Sequence, residues 1–195
     1  MTVLDKSVEY RPLLMMIPRK RQGQVKALAQ GYTYCPWDDS MKAAWAELQF
    51  KAGLYDSLEE ANQSLDEFLQ EKEQFISQFL FVCNDQGELV GSAGLWQGNH
   101  FGQNRLRVHY VAVSESAQHQ GIASAMVSKL IAMYDQIPSK YPLYLATQTN
   151  SYGAIAMYSH LGFTPYLGAW RDCSEAQSKD NWELATEILR EKTKA

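Results

Sequence analysis

The sequence predicts an α+β fold of mixed α/β type, and three observations carry that prediction. Strand-like segments alternate with amphipathic helices along the chain. Two neighbouring strands flank Asn84-Asp85-Gln86-Gly87, a turn that joins them antiparallel. The order strand, two helices, antiparallel run, helix, strand, helix, strand is not that of a doubly wound sheet.

Arg11–Ile17 reads as a short edge strand that ends at Pro18. Gly31–Asp39 lacks either period and reads as irregular. From Met41 the period is helical, with Met41, Ala44, Trp45, Leu48 and Ala52 on one face and Gly53 as a stop. Ser57-Leu58-Glu59-Glu60 has capping-box spacing and opens a second helix, with Leu58, Ala61, Leu65, Phe68 and Leu69 inward. Phe79–Cys83 and Leu89–Trp96 are the hairpin strands, and Leu106–Val113 is a longer strand. A helix from Ile122 to Tyr134 is apolar on two adjoining faces, so deep burial is expected. Leu143–Thr147 is a strand, Ser151–Leu161 a short helix closed by Gly162, and Phe163–Trp170 a last strand. Asp180-Asn181-Trp182-Glu183 opens a final helix with Trp182, Ala185, Ile188 and Leu189 inward.

The chain has 195 residues, a length suited to one domain of roughly 100–200 residues over 1–195. Hydrophobic residues make up 46% and charged residues 21%, so whole-chain disorder, collagen-like repeats and coiled coil are excluded. A net charge of −4 argues against a nucleic-acid partner held by general phosphate attraction. Cys35, Cys83 and Cys173 are odd in number and widely spaced, without a zinc pattern, and read as structural thiols of a reducing compartment. The run Leu13–Ile17 is too short for a signal core or a membrane span. Cytoplasmic location without a membrane partner is expected.

The chemistry concentrates in Leu106–Phe163. Gln118-His119-Gln120-Gly121-Ile122-Ala123 lies between a strand and a helix start, where unpaired N–H groups and partial positive charge suit an anion. By itself such a turn is usually just a cap. It is neither a Walker loop nor a dinucleotide fingerprint. Asn150-Ser151-Tyr152 then leads a helix that bears Tyr158 and ends in Leu161-Gly162-Phe163.

Together these segments resemble the GNAT acetyltransferase superfamily, with its Q/R-x-x-G-x-G/A turn after the fourth strand and a later Asn, Tyr-bearing helix and Gly-Phe pair. The resemblance covers the core motifs, residues 79–163, and leaves a C-terminal helical extension, 171–195. It implies a mostly antiparallel central sheet, splayed between the fourth and fifth strands and flanked by helices. It implies acetyl-CoA as acyl donor and no metal. Main-chain groups of Val111 and Val113 would bond the pantetheine amides. The amides of Gln120, Gly121, Ile122 and Ala123, with the Gln118 side chain, would hold the pyrophosphate. Asn150 would contact the pantetheine from the other side.

Acetyl transfer needs a neutral amine and a proton for the leaving thiolate, and an alkylamine of pKa about 10.4 is mostly protonated at neutral pH. Tyr158 stands where the family places the acid that protonates the CoA sulfur; packing on the stripe Ala154, Ile155, Tyr158 and Leu161 is the other role open to it. The glutamate used as base by some members is replaced by Arg107, which cannot act as a base. His109, on the same strand face, has a suitable intrinsic pKa of about 6.5, and a structural histidine is the equal alternative. Arg107 is the candidate for an acceptor carboxylate, or a solvated strand end.

Glu115, His100, His119 and His160 read as surface or capping residues, and Arg19-Lys20-Arg21 as a solvated turn or phosphate contact. The aromatic segment Tyr32–Trp37 and the helix bearing Trp45 match the region that walls the acceptor pocket, or serve as core. The expected activity is N-acetylation of a primary amine on a small molecule or peptide. A non-catalytic acyl-CoA sensor and a protein N-terminal or lysine modifier are the alternatives. The oligomeric state is left open, with a homodimer among the options.

Overall fold

The computed structural model describes residues 4–18 and 24–192, so the Arg19-Lys20-Arg21 run lies outside the described residues. The strands are β1 (Pro12–Ile17), β2 (Tyr32–Cys35), β3 (Phe79–Asn84), β4 (Leu89–Gly98), β5 (Arg105–Val113), β6 (Leu143–Gln148) and β7 (Thr164–Pro165). The helices are α1 (Lys42–Lys51), α2 (Leu58–Gln70), α3 (Lys72–Gln78), α4 (Ile122–Gln136), α5 (Tyr152–His160) and α6 (Glu175–Lys192). The strands form one mixed sheet in the order β2-β3-β4-β5-β6-β1-β7, which bears out the α+β expectation. Two compact units divide the chain, one from residues 24–95 and 109–134, the other from 4–18, 96–108 and 135–192.

In the first unit β2 pairs antiparallel with β3, and β3 with β4. Asn84 makes the hairpin: its carbonyl accepts the Gly87 N–H at 2.9 Å, and its side-chain oxygen accepts the N–H groups of Gln86 and Glu88. Gly87, at φ +79°, takes the conformation this turn requires. Tyr32–Cys35, read as irregular, is a four-residue strand at the edge of the sheet; a segment that short shows no period. Its Cys35 is disulfide-bonded to Cys83. Cys35 pairs with Phe81 and Thr33 with Cys83, so the two cysteines are diagonal neighbours, with Cα atoms 6.0 Å apart. The thiol expectation therefore survives only for the buried, free Cys173, and with it goes the cysteine argument for a reducing compartment.

Helix α1 buries Trp45, Ala46, Leu48 and Gln49, whereas Ala44 is exposed. The inward stripe is thus rotated from the expected one. At α2 the Ser57 hydroxyl accepts the Glu60 N–H at 3.0 Å, while the Glu60 carboxylate accepts the N–H of Asp56 rather than that of Ser57. Helix α3, absent from the expectation, carries Phe75 into an aromatic cluster. Phe75 lies 4.5 Å from Phe79, 5.1 Å from Trp37 and 5.8 Å from Phe68 between ring centroids. Trp45 is fully buried there, and its indole N–H donates to Ser92 Oγ at 3.0 Å, so its polar end is satisfied. Helix α4 buries Ile122, Met126, Val127, Leu130 and Ile131, as its two apolar faces predict.

In the second unit β1 is not an edge strand. It pairs antiparallel with β6 along its length and with β7 on its other side. That position explains why Leu13, Leu14, Met15 and Ile17 are all buried. The parallel pairing of β5 with β6 joins Arg107 to Tyr144 and Val108 to Leu145. The last strand is only Thr164–Pro165, followed by an isolated bridge between Trp170 and Cys173. Pro165 supplies no N–H to extend the ladder. Helix α6 starts five residues before the expected Asp180. The Ser174 hydroxyl accepts the Gln177 N–H, and the Gln177 side-chain Oε1 accepts the Ser174 N–H at 2.9 Å, a reciprocal capping box. Among the described residues no helix is long and apolar enough to cross a membrane.

Candidate active site

The site residues expected from the sequence divide between the two units. His109, Val111, Val113, Gln118, Gln120, Gly121, Ile122 and Ala123 fall in the first, and Arg107, Asn150 and Tyr158 in the second.

In the first unit, strand β5 runs into a 3-10 turn at Glu115–Ala117 and then into α4. His119 and Gly121 both take left-handed backbone, at φ 62° and 74°. Alternation of this kind turns successive N–H groups toward one side, a concavity suited to an anion. The Ala125 N–H donates to the Gly121 carbonyl at 2.9 Å, which makes Gly121 the residue where α4 begins. The N–H groups of the next residues have no carbonyl one turn back to bond. His119, Gln120 and Gly121 are exposed, and a Cβ on Gly121 would meet no atom within 4 Å. The main chain here is open to a phosphate-sized group. The Gln118 side chain turns back instead, donating to the Val113 carbonyl at 3.4 Å. Val111 and Val113 have buried side chains, so main-chain groups are what they offer a ligand.

Tyr110 interrupts β5 with φ 55°, outside the ordinary range for a bulky residue. Its ring stacks on that of His109 with centroids 3.6 Å apart, although adjacent residues of a regular strand point to opposite faces. No sequence signal marks this break, because an aromatic residue is an ordinary strand former.

In the second unit, Tyr158 is buried with Ala154 and Ile155 on the inward face of α5. Burial pushes its hydroxyl pKa well above the usual tyrosine range, so the group stays protonated. Phe163 packs edge-on against it at 6.0 Å, and the Phe163 N–H donates to the Tyr158 carbonyl at 3.0 Å. The Gly-Phe pair thus fixes the tyrosine. Asn150 is held by its own carbonyl, which accepts the Asp5 N–H at 3.1 Å. Its side-chain Oδ1 is buried without a hydrogen-bond partner among the described residues. An acceptor in that state suits a ligand N–H.

Arg107 packs over the backbone of Gly98, where a Cβ would lie 2.7 Å from Arg107 Nε and 2.4 Å from the Tyr144 hydroxyl. His100 lies beside the same tyrosine, with Nδ1 3.3 Å from the hydroxyl. Burial, then the Arg107 charge, pushes the His100 pKa down to about 4, so the imidazole is neutral at physiological pH. The reading of His100 as a surface or capping residue is corrected: it is half-buried in a polar cluster that sequence distance conceals.

The sequence model described as "Acetyltransferase (GNAT) family" matches residues 37–163, well over half of the chain. The chain belongs to the GNAT acetyltransferase family. Solved GNAT structures carry the same fold at low identity. A GCN5-related N-acetyltransferase from Sphaerobacter thermophilus superposes with a TM-score of 0.61 at 17% identity, covering 80% of this chain and 50% of that one. A tandem GNAT protein from the clavulanic acid biosynthesis pathway gives 0.58 at 15% identity, covering 80% and 50%. A GNAT-family acetyltransferase from Colwellia psychrerythraea gives 0.56 at 13%, covering 81% and 54%. The chain therefore spans about half the length of these relatives. No curated protein matches it in sequence. The acyl-CoA of this family carries a pyrophosphate and amide N–H groups: within the first unit the open main chain at His119–Gly121 fits the former, and within the second the buried Asn150 Oδ1 fits the latter.

Proposed function

We propose that this GNAT protein is an N-acetyltransferase that moves the acetyl group of acetyl-CoA to a primary amine of a small molecule or peptide in a ternary complex. The observation that carries the reading is the start of α4, where exposed left-handed backbone at His119 and Gly121 precedes free helical N–H groups. Main-chain N–H groups of Gln120–Ala123 hold the pyrophosphate. Val111 and Val113 offer main-chain groups to the pantetheine amides, and Asn150 Oδ1 accepts one of their N–H groups.

The amine nitrogen attacks the thioester carbonyl carbon, the C–N bond forms and the C–S bond breaks. Tyr158, held protonated by burial, gives its proton to the leaving sulfur. The proton lost by the amine passes to His109 or through water to solvent. Arg107 binds an acceptor carboxylate when one is present. The net charge of −4 supports an acceptor other than nucleic acid.

The experiment is release of free CoA thiol from acetyl-CoA by the purified protein across a panel of amines. Turnover with at least one amine above the hydrolytic background is expected. Binding of acetyl-CoA without turnover across amines, peptides and protein N-termini would favour a sensor instead.

A further inference from the structure

Gln49 is the polar residue on the otherwise apolar inward face of α1, and it is fully buried. Its amide Nε2 donates to the main-chain carbonyl of Tyr110 at 3.4 Å. Its Oε1 is buried and has no hydrogen-bond partner among the described residues. An unpartnered buried acceptor is destabilising, and an apolar side chain of the same shape would avoid that cost. Stability alone therefore does not account for an amide here. The group it does bond is the carbonyl of the one β5 residue in left-handed backbone.

Such a conformation in a tyrosine persists only where its surroundings over-determine it. The ring of Tyr110 is gripped by Phe68 at 4.9 Å, edge-on, and by Tyr55, stacked at 6.1 Å with 12° between planes. Tyr55 is fixed in turn by its hydroxyl, which donates to Ser64 Oγ at 2.6 Å. The ring contacts hold the side chain; Gln49 holds the peptide group. A change of peptide orientation at Tyr110 redirects the main-chain groups of the residues that follow, Val111 to Val113.

We propose that Gln49 is a positioning residue for the pantetheine arm of the acyl donor. By holding the Tyr110 carbonyl it fixes the break in β5 and so sets the direction of the Val111 and Val113 main-chain groups. This rests on the reading of Val111 and Val113 as pantetheine-binding. It adds a residue from α1 that touches neither donor nor acceptor.

The test compares CoA, which has the pantetheine arm, with ADP, which has only the pyrophosphate and nucleoside, by titration calorimetry on the full chain. Wild type is expected to bind CoA at least about tenfold more tightly than ADP, a difference of about 1.4 kcal/mol. Gln49→Leu is expected to leave ADP affinity unchanged and to bring CoA within about threefold of it. Gln49→Met, closer in shape and equally unable to donate, should give the same loss and serves if the leucine variant does not fold. A variant that keeps the wild-type preference for CoA overturns the role of Gln49 alone. A variant that loses both ligands in proportion also overturns it, by reducing Gln49 to general support of the fold. Wild type that binds neither ligand overturns the donor-site reading itself, and this inference with it.

Discussion

The Ala125 N–H bonds the carbonyl of Gly121 at 2.9 Å, and Gly121 itself stands at φ +74° with open space where a Cβ would be. Helix start and left-handed turn thus coincide on one exposed residue. Gly121→Glu should strain the backbone by about 1–2 kcal/mol and put a carboxylate against the phosphate position. A modest fall in Tm together with complete loss of the acetyl-CoA-induced Tm shift is expected in thermal melts. Retention of that shift would move the pyrophosphate elsewhere.

Tyr158→Phe removes only the hydroxyl. Turnover should fall about 10²–10⁴-fold, with KM for acetyl-CoA little changed. Because burial raises the tyrosine pKa, the wild-type rate should show no alkaline limb from this group below pH about 10. Steady-state kinetics of both proteins from pH 6 to about 10 checks both statements.

His100 has a folded-state pKa of about 4 against about 6.5 when unfolded. Between those values the unfolded chain binds more protons than the folded one, so the contribution is complete above pH about 6.5 and fades as pH falls toward about 4. Asp38, Asp39 and Glu175, whose pKa values are lowered by hydrogen bonds to Ser40, Lys72 and Lys179, lose their contributions in more acid solution. Tm measured against pH should therefore decline less between pH 6.5 and 4 in His100→Gln than in wild type. Parallel curves would remove His100 from the buried cluster.

The Cys35–Cys83 bond ties the edge strand β2 to β3 across a sequence separation of 48. Its reduction should cost about 2–4 kcal/mol of stability, through the freedom regained by the unfolded chain. Melting with and without dithiothreitol should show the drop in wild type and none in Cys35→Ser. Identical wild-type melts would mean that the bond does not form.

The local structure from the end of β5 to Phe163 was readable because it depends on residues close in sequence. A turn glycine, a helix start and a Gly-Phe stop each act on neighbours within a few positions, whereas Asn150 bonds the distant Asp5. The nature of β1 was not readable in the same way. Its hydrophobic run fits an edge or an interior strand, and only pairing with β6 and β7 decides between them. Tyr32–Cys35 is too short for a period and gains its strand character from β3. The start of α6 is set by Ser174 and Gln177, a box separated from the apolar run that begins at Trp182. Gln49, His100 and Tyr144 carried no local signal at all: their partners lie 61 and 44 positions away.

If the start of α4 and the end of β5 hold an acyl-CoA, thermal unfolding with added acetyl-CoA must show it. Ligand at 100 times its Kd stabilises the folded chain by about 2.7 kcal/mol, a rise of roughly 5–10 °C for a chain of this size. A concentration-dependent rise of that order is expected in wild type and none in Gly121→Glu. An unchanged wild-type Tm at millimolar acetyl-CoA would contradict it.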